Sequence, residues 1–168
     1  MSHRPIGLVV EGETDRVAMT AVLRTRGLHV DPRRVRVTNG KQEFDRRLPK
    51  YNQAARHAPW LAVRDLDQDG DDCAATLRRA LLPPAEQAAA LALRIAVRAL
   101  DAWLLADAQA FAAFFRVARS RLPDEPEGLV DPKLALVGLC RHSSSASIRR
   151  GIVPPKAALG GWARSTPR

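Results

Sequence analysis

Ala58-Pro-Trp-Leu-Ala-Val-Arg-Asp-Leu-Asp-Gln-Asp-Gly-Asp-Asp72 is the stretch on which the reading of this chain turns. Trp60 to Val63 is a short apolar run of strand-compatible residues, and it gives way at once to carboxylates at Asp65, Asp67, Asp69, Asp71 and Asp72. The pattern predicts a buried strand that delivers acids to its carboxyl end. In an open α/β sheet that end is where ligands bind, because the loops diverge there and leave a crevice. Alternate residues of a strand share a face about 7 Å apart, so Asp65 and Asp67 are able to flank one site while Gly70 lets the chain turn away. Two like charges about 4 Å apart cost roughly 4 kcal/mol at an effective dielectric near 20, so such a cluster demands a cation or protons. Oxygen donors without His or Cys suit Mg²⁺, Mn²⁺ or Ca²⁺.

Two other readings of the loop compete with this one. Asp65-x-Asp67-x-Asp69-Gly70 matches the first half of an EF-hand calcium loop, but Thr76 stands where the bidentate Glu is needed and a strand, not a helix, comes before it. The plainer alternative is a solvated acidic turn, with Asp71 or Asp72 capping the helix that follows.

Working outward, Ile6 to Val10 is a first apolar strand that also ends in a carboxylate, at Glu11-Gly12-Glu13-Thr14-Asp15. A helix is expected over 15–26, with Val17, Ala18, Ala21 and Val22 on its inner face, Thr14 or Asp15 as its cap and Gly27 as its stop. Val30 to Val37 offers a second strand, centred near 33–37, with Val35 to Val37 as its apolar part after the basic turn Asp31-Pro32-Arg33-Arg34. Asn39-Gly40 is a break, and 42–57 reads as a polar helix carrying Arg46, Arg47, Lys50 and Arg56. A helix over 71–82 follows the acidic strand. Residues 91–97 form a fourth strand candidate whose Ala and Leu content equally suits a helix, and a further helix runs to about 119. Beyond Leu122 the pattern decays, with one short helix over 133–140, a serine-rich loop over 142–147 and a loosely ordered tail. Alternating strands and helices predict an α/β fold with a central, mainly parallel four-stranded sheet flanked by helices. Residues 1–120 would form the main domain and 121–168 an extension.

With 168 residues the chain is one domain's worth, able to bury roughly two-thirds of its unfolded surface. Cys73 and Cys140 lie far apart, without zinc or disulfide spacing, and no stretch approaches the ~20 apolar residues of a membrane span. A cytoplasmic location without membrane association is expected. The formal charge is +9, from 27 basic and 18 acidic residues. With acids concentrated at one loop, the rest of the surface is more positive still, which is the footprint of a polyanion binder. Arg33, Arg34, Arg46, Arg47 and Lys50 are the candidate phosphate contacts. Lysine supplies only four of the 27 basic residues, so a compositional bias toward Arg contributes to the excess.

In a parallel sheet the carboxyl ends of strands lie along one edge, so Glu11 and Asp65-x-Asp67 are able to converge on one cation. Val9-Val10-Glu11-Gly12-Glu13-Thr14-Asp15 followed by Asp65-Leu66-Asp67-Gln68-Asp69 resembles the Toprim domain, a Rossmann-like catalytic module of topoisomerases, bacterial primases, OLD-family nucleases and small ribosomal-RNA maturases. Residues 95–107, with Asp101 ahead of Trp103, and then Asp131-Pro132-Lys133 resemble the small stand-alone bacterial Toprim proteins, some of them RloB-like and linked to phage defence. Those relatives carry Glu where this chain has Asp101, which keeps the charge and shortens its reach. The resemblance implies that Glu11 is a metal ligand or general acid/base, that Asp65 and Asp67 hold Mg²⁺ or Mn²⁺, that Asp69 supports a second ion, and that Asp101 is an additional acid. Glu13 and Asp15 read instead as helix-start acids, and Trp103 as a core aromatic.

The activity implied is metal-dependent nuclease chemistry, hydrolysis of a phosphodiester in DNA or RNA. The only tyrosine, Tyr51, lies in a basic helix ahead of the acidic strand, away from where a topoisomerase nucleophile would stand, and the chain is too short for primase flanking domains. The alternative from another class is a non-catalytic module that binds nucleic acid or a partner in a defence or toxin system. A partner ATPase or a homodimer fits either reading.

Overall fold

The computed structural model describes residues 4–67 and 73–152. Asp69, Gly70, Asp71, Asp72 and the tail 153–168 lie outside the described residues. The chain divides into two compact units, Met1–Leu100 and Asp101–Arg168.

The first unit is an α/β sandwich. Its elements run β1 (Ile6–Val10), α1 (Glu13–Thr25), β2 (Val30–Val37), α2 (Lys41–Ala54), β3 (Trp60–Asp65), α3 (Ala74–Leu81) and β4 (Leu91–Ala96). The four strands form one sheet in the order β2-β1-β3-β4, and every pairing is parallel. This is the expected fold class, consistent with a Rossmann-like arrangement. The chain steps outward from β1 to β2, then returns across β1 to build β3 and β4. That reversal makes the gap between β1 and β3 the topological switch point, where open α/β sheets bind ligands at the carboxyl ends of their strands.

Both faces of the sheet are covered, and the alternation along the strands decides what each face meets. Val9, Trp60, Ala62, Leu91 and Leu93 pack with Phe44, Leu48 and Tyr51 of α2, and with Leu82 just after α3. Leu8, Val10, Val63 and Ala96 pack on the other side with Met19 of α1 and with Leu100. Tyr51 is buried with its ring 5.3 Å from that of Trp60, so it is a core residue. Gly7 is required beside that indole, because a Cβ there would lie 2.4 Å from Trp60.

Several elements differ from expectation for identifiable reasons. α1 presents Asp15, Met19 and Leu23 inward, one turn apart, and leaves Val17 and Val22 more than half exposed. Its cap is Gly12, whose N–H donates to Asp15 Oδ2 at 2.7 Å from the third helical position. β2 runs the whole of Val30–Val37, basic turn included, because it is an edge strand and tolerates Pro32. Its register jumps between Ile6↔Val30 and Leu8↔Val35, and Asp31 holds the bulge by accepting from Arg33 N at 2.9 Å. Leu91–Ala96 is a strand, as expected over 91–97, because six successive residues pair with Trp60–Asp65.

The second unit is helical. It contains α4 (Leu100–Ala106, from its second residue), α5 (Ala108–Phe115), α6 (Pro132–Arg141) and α7 (Ala146–Ile152), with short 3₁₀ turns at Arg119–Arg121 and Pro126–Gly128. The stretch 98–107 leads into a helix as expected: the Asp107 carboxylate accepts from Ala110 N at 2.9 Å and starts α5, which ends at Phe115 rather than near 119. Asp131 does the same for α6 through Leu134 N at 2.8 Å, with Pro132 at the first helical position. α7 replaces part of the serine-rich loop. Leu105, Phe111, Leu122, Leu136, Leu139 and Cys140 form this unit's own core. Trp103 is 43 % exposed, so it is not the core aromatic that was expected. No described helix is long and apolar enough to cross a membrane.

Candidate functional site at the carboxyl edge of the sheet

Glu11 follows the last residue of β1, and Asp65 is the last residue of β3, the neighbouring strand. The pairing of Gly7 with Trp60 and Val9 with Ala62 carries both strands to the switch point nearly level. There Glu11 Oε1 accepts the backbone N–H of Asp65 at 2.9 Å. Asp65 Oδ1 in turn accepts Leu100 N at 3.0 Å. Each carboxylate therefore has one oxygen anchored by main chain.

Electrostatics set these two acids apart. Burial pushes Glu11 up to about 7, against the opposing pull of the Asp65 N–H, and the charge of Asp67 adds to the rise. Asp65 is pushed up to about 8, first by burial and then by the charges of Asp15 and Glu11. Near neutral pH the edge is thus a partly protonated carboxylate cluster with an affinity for positive charge.

Asp67 sits two residues beyond Asp65 with φ of 53°, a left-handed conformation that Asp tolerates better than most residues. Its backbone is held on both sides: Asp67 N donates to Arg98 O at 2.9 Å, and Asp67 O accepts from Arg98 Nη1 at 3.1 Å. Asp67 Oδ2 lies 3.7 Å from Lys41 Nζ.

Arg64 supports the edge from the opposite face of the sheet. Only 3 % exposed, it makes a two-pronged bond to Asp45 of α2 at 2.9 and 3.0 Å, and its Nη1 donates to Asp65 O at 2.6 Å. Its charge also lowers Glu11, opposing part of the rise.

Glu11, Asp65 and Asp67 are thus brought to one edge. Their carboxylates are of the kind that offers oxygen donors to a hard divalent cation. Among the described residues no group of three or more His, Cys, Asp or Glu side chains is already arranged as a metal-binding set. Asp69 is outside the described residues, and Asp101 is a buried acid in the first turn of α4, in the second unit.

The basic candidates separate into two kinds. Arg34 folds back onto its own unit, bonding Asp31 at 3.2 Å and Pro5 O, with its guanidinium 5.9 Å from the centre of the Trp60 ring. Arg46 and Arg47 both bind Glu43. Arg33, its side chain 92 % exposed, keeps only a long 3.5 Å pairing with Asp31, and Lys50 is exposed on α2.

Sequence reasoning left three residues out of the site. Asp15 serves as a helix-start acid, as expected, yet it is buried and its charge reaches Asp65. Lys41 is the first residue of α2, four residues after the carboxyl end of β2, and its place at the start of a helix that follows a strand was the available signal. Arg64 stands beside Asp65 in the sequence, but nothing local shows that it turns toward α2.

The fold and this edge define an α/β protein with an acidic centre at the switch point of a parallel sheet. No family model, curated protein or solved structure matches the chain significantly.

Proposed function

We propose that the acidic edge hydrolyses phosphodiester bonds of DNA or RNA with the help of a divalent metal, in the manner of a stand-alone Toprim-like nuclease. The observation that carries this reading is the meeting of Glu11 and Asp65 through the Asp65 N–H, at the switch point, with both acids raised by burial and by the charge of neighbouring carboxylates. Buried carboxylates that repel one another suit a site that takes up a cation.

Glu11, Asp65 and Asp67 are the residues that would hold Mg²⁺ or Mn²⁺, hard ions that prefer such oxygen donors. When bound, the ion would neutralise phosphate charge and lower the pKa of an attacking water. In the metal-free edge Glu11 has a value about 7 and exchanges its proton near neutral pH, so it would serve either as a ligand of the ion or as the base that takes a proton from the attacking water. Main-chain bonds to Glu11 and Asp65 fix their carboxylates before substrate arrives, which lowers the cost of reaching a reactive geometry. Tyr51 takes no part, being packed against Trp60 in the core.

The deciding experiment incubates DNA and RNA substrates with Mn²⁺ and compares wild type with Asp67→Asn. Asn is preferred to Ala because it tolerates the left-handed backbone and removes only the charge. Wild type should cut at least one substrate, and the variant should lose most of that activity. Cleavage that survives the substitution removes the edge as the catalytic centre. Metal-independent binding without cutting would favour the non-catalytic module.

A further inference from the structure

A nucleic-acid strand brings one negative charge per phosphate toward an edge that already holds Glu11, Asp15, Asp65 and Asp67, so a cation of the protein's own is needed beside them. Most nearby guanidinium groups are committed elsewhere. Arg46 and Arg47 hold Glu43, Arg34 holds Asp31 and Pro5 O, and Arg64 is locked beneath the sheet on Asp45. Lys41 differs, because its ammonium faces the site itself, 3.7 Å from Asp67 Oδ2.

That pairing is long and lies in the open, with the Lys41 and Asp67 side chains 38 % and 42 % exposed. Such ion pairs contribute little to folding, so the ammonium is able to exchange one oxygen for another. The backbone beneath it is fixed. Asn39 N and Gly40 N donate to Glu11 O at 2.8 and 3.3 Å, and Thr38 N donates to Val10 O at 3.0 Å. Glu11 therefore places its carboxylate at the edge and, through its carbonyl, anchors the turn that delivers Lys41. One turn into α2, the bond between Asp45 and Arg64 prevents the helix from sliding on β3.

A cavity of about 440 Å³ opens at this place, lined by Asn39, Gly40, Lys41, Gln42, Glu43 and Arg46. Its size is within the usual range for small-ligand clefts. A compact, rotatable ammonium also suits a single phosphate oxygen better than a planar guanidinium fixed in an existing pair.

We propose that Lys41 is a substrate-contacting residue, whose ammonium leaves Asp67 to grip a non-bridging oxygen of a nucleic-acid backbone phosphate entering the cavity at the start of α2. The proposal rests on reading the acidic edge as a phosphodiester site, and it assigns the approach side of the substrate.

The test measures fluorescence anisotropy of labelled single-stranded DNA and RNA oligonucleotides, in Ca²⁺ to hold off cleavage, across a range of salt. Lys41→Gln, Lys41→Arg and Lys133→Gln are compared with wild type, the last being the same charge change on α6. Lys41→Gln should weaken binding about tenfold and flatten the dependence of log affinity on log salt by about 0.7, the loss of roughly one phosphate contact. Lys41→Arg should keep affinity within about threefold, and Lys133→Gln should match wild type. A Lys41→Gln protein with wild-type affinity and salt slope, an equal loss in Lys133→Gln, or a wild type that binds neither oligonucleotide overturns the proposal. Cleavage in Mn²⁺ is scored separately. A wild type that binds through Lys41 and never cuts leaves the contact standing and removes the nuclease reading.

Discussion

Glu11 and Glu43 are the same side chain in the same unit, and the fold drives them in opposite directions. Glu11 is taken from water at the end of β1, set near Asp67 and Asp15, and pushed up to about 7. Glu43 stands on the first turn of α2 between Arg46 and Arg47, and its bonds to Arg46 above all draw it down to about 2. One carboxylate is held where its charge is costly, and the other where its charge is already matched. The difference separates a site from a surface: unmatched buried acids create a demand for an outside cation, whereas Glu43 uses up the cations nearest it.

Removing charge from the two regions should therefore have unequal consequences. Glu11→Gln and Asp65→Asn keep an oxygen to accept the backbone N–H and lose only the charge, and each should reduce Mn²⁺-dependent cleavage by at least about a hundredfold. Gel-based initial rates measure this. Equal losses in Glu43→Gln would erase the contrast.

A second expected effect concerns the support under the edge. Arg64→Met should lower unfolding stability by about 3 kcal/mol in urea denaturation, since it strands Asp45 and removes the donor from Asp65 O. A loss below about 1 kcal/mol would mean that the pair across α2 and β3 does not hold the edge.

The third uses pH. Glu11 and Asp65 have folded-state values above their ordinary 4.5 and 3.8, so between about pH 5 and pH 8 the folded chain keeps protons that the unfolded chain has released. Stability should accordingly be greater near pH 5 and fall as pH rises through about 7 and about 8. Thermal melts of metal-free protein should show the Tm falling over that interval. Asp65→Asn should raise Tm by about 2–4 °C at pH 8, with the gain shrinking toward about pH 4 as the unfolded carboxyl also takes up its proton. A wild-type Tm that rises over the same interval would contradict the buried-acid account.

The smallest effect belongs to the other side of the comparison. Glu43→Gln should change Tm by less than about 2 °C, because exposed ion pairs add little to stability. It should strengthen oligonucleotide binding by roughly threefold at low salt, with Arg46 and Arg47 released to meet phosphates. Unchanged binding in anisotropy titrations would show that these arginines face away from the strand.

Much of the first unit was legible because its signals are local. Apolar runs ending abruptly in Glu11 and Asp65 mark strand ends, and alternation with helices implies a parallel sheet. The α1 stripe was misjudged because Val17, Ala18, Ala21 and Val22 look like an inner face in isolation, while Asp15, Met19 and Leu23 occupy it. Hydrophobicity alone could not rank a stripe headed by a carboxylate. Residues 98–107 read only as the lead-in to a helix, and it is the side chain of Asp107 capping Ala110 that separates α4 from α5. The basic residues were legible as charge and not as geometry, since pairing with Glu43 or Asp31 depends on rotamer and neighbour.

By itself the sequence determined the alternating α/β order, the two strand ends that carry acids, and the excess of positive charge, all consequences of residue type and spacing along the chain. Only the tertiary structure decided that β1 and β3 are neighbours, and with that the meeting of Glu11 and Asp65. It also made a strand of Leu91–Ala96, whose composition suits a helix, by giving it β3 to pair with. It turned Arg64 toward Asp45 and set Lys41 beside Asp67. The physical reason is that sheet pairing and burial join residues 19 to 54 positions apart, and the burial and charge that raise Glu11 and Asp65 arise from those distant neighbours.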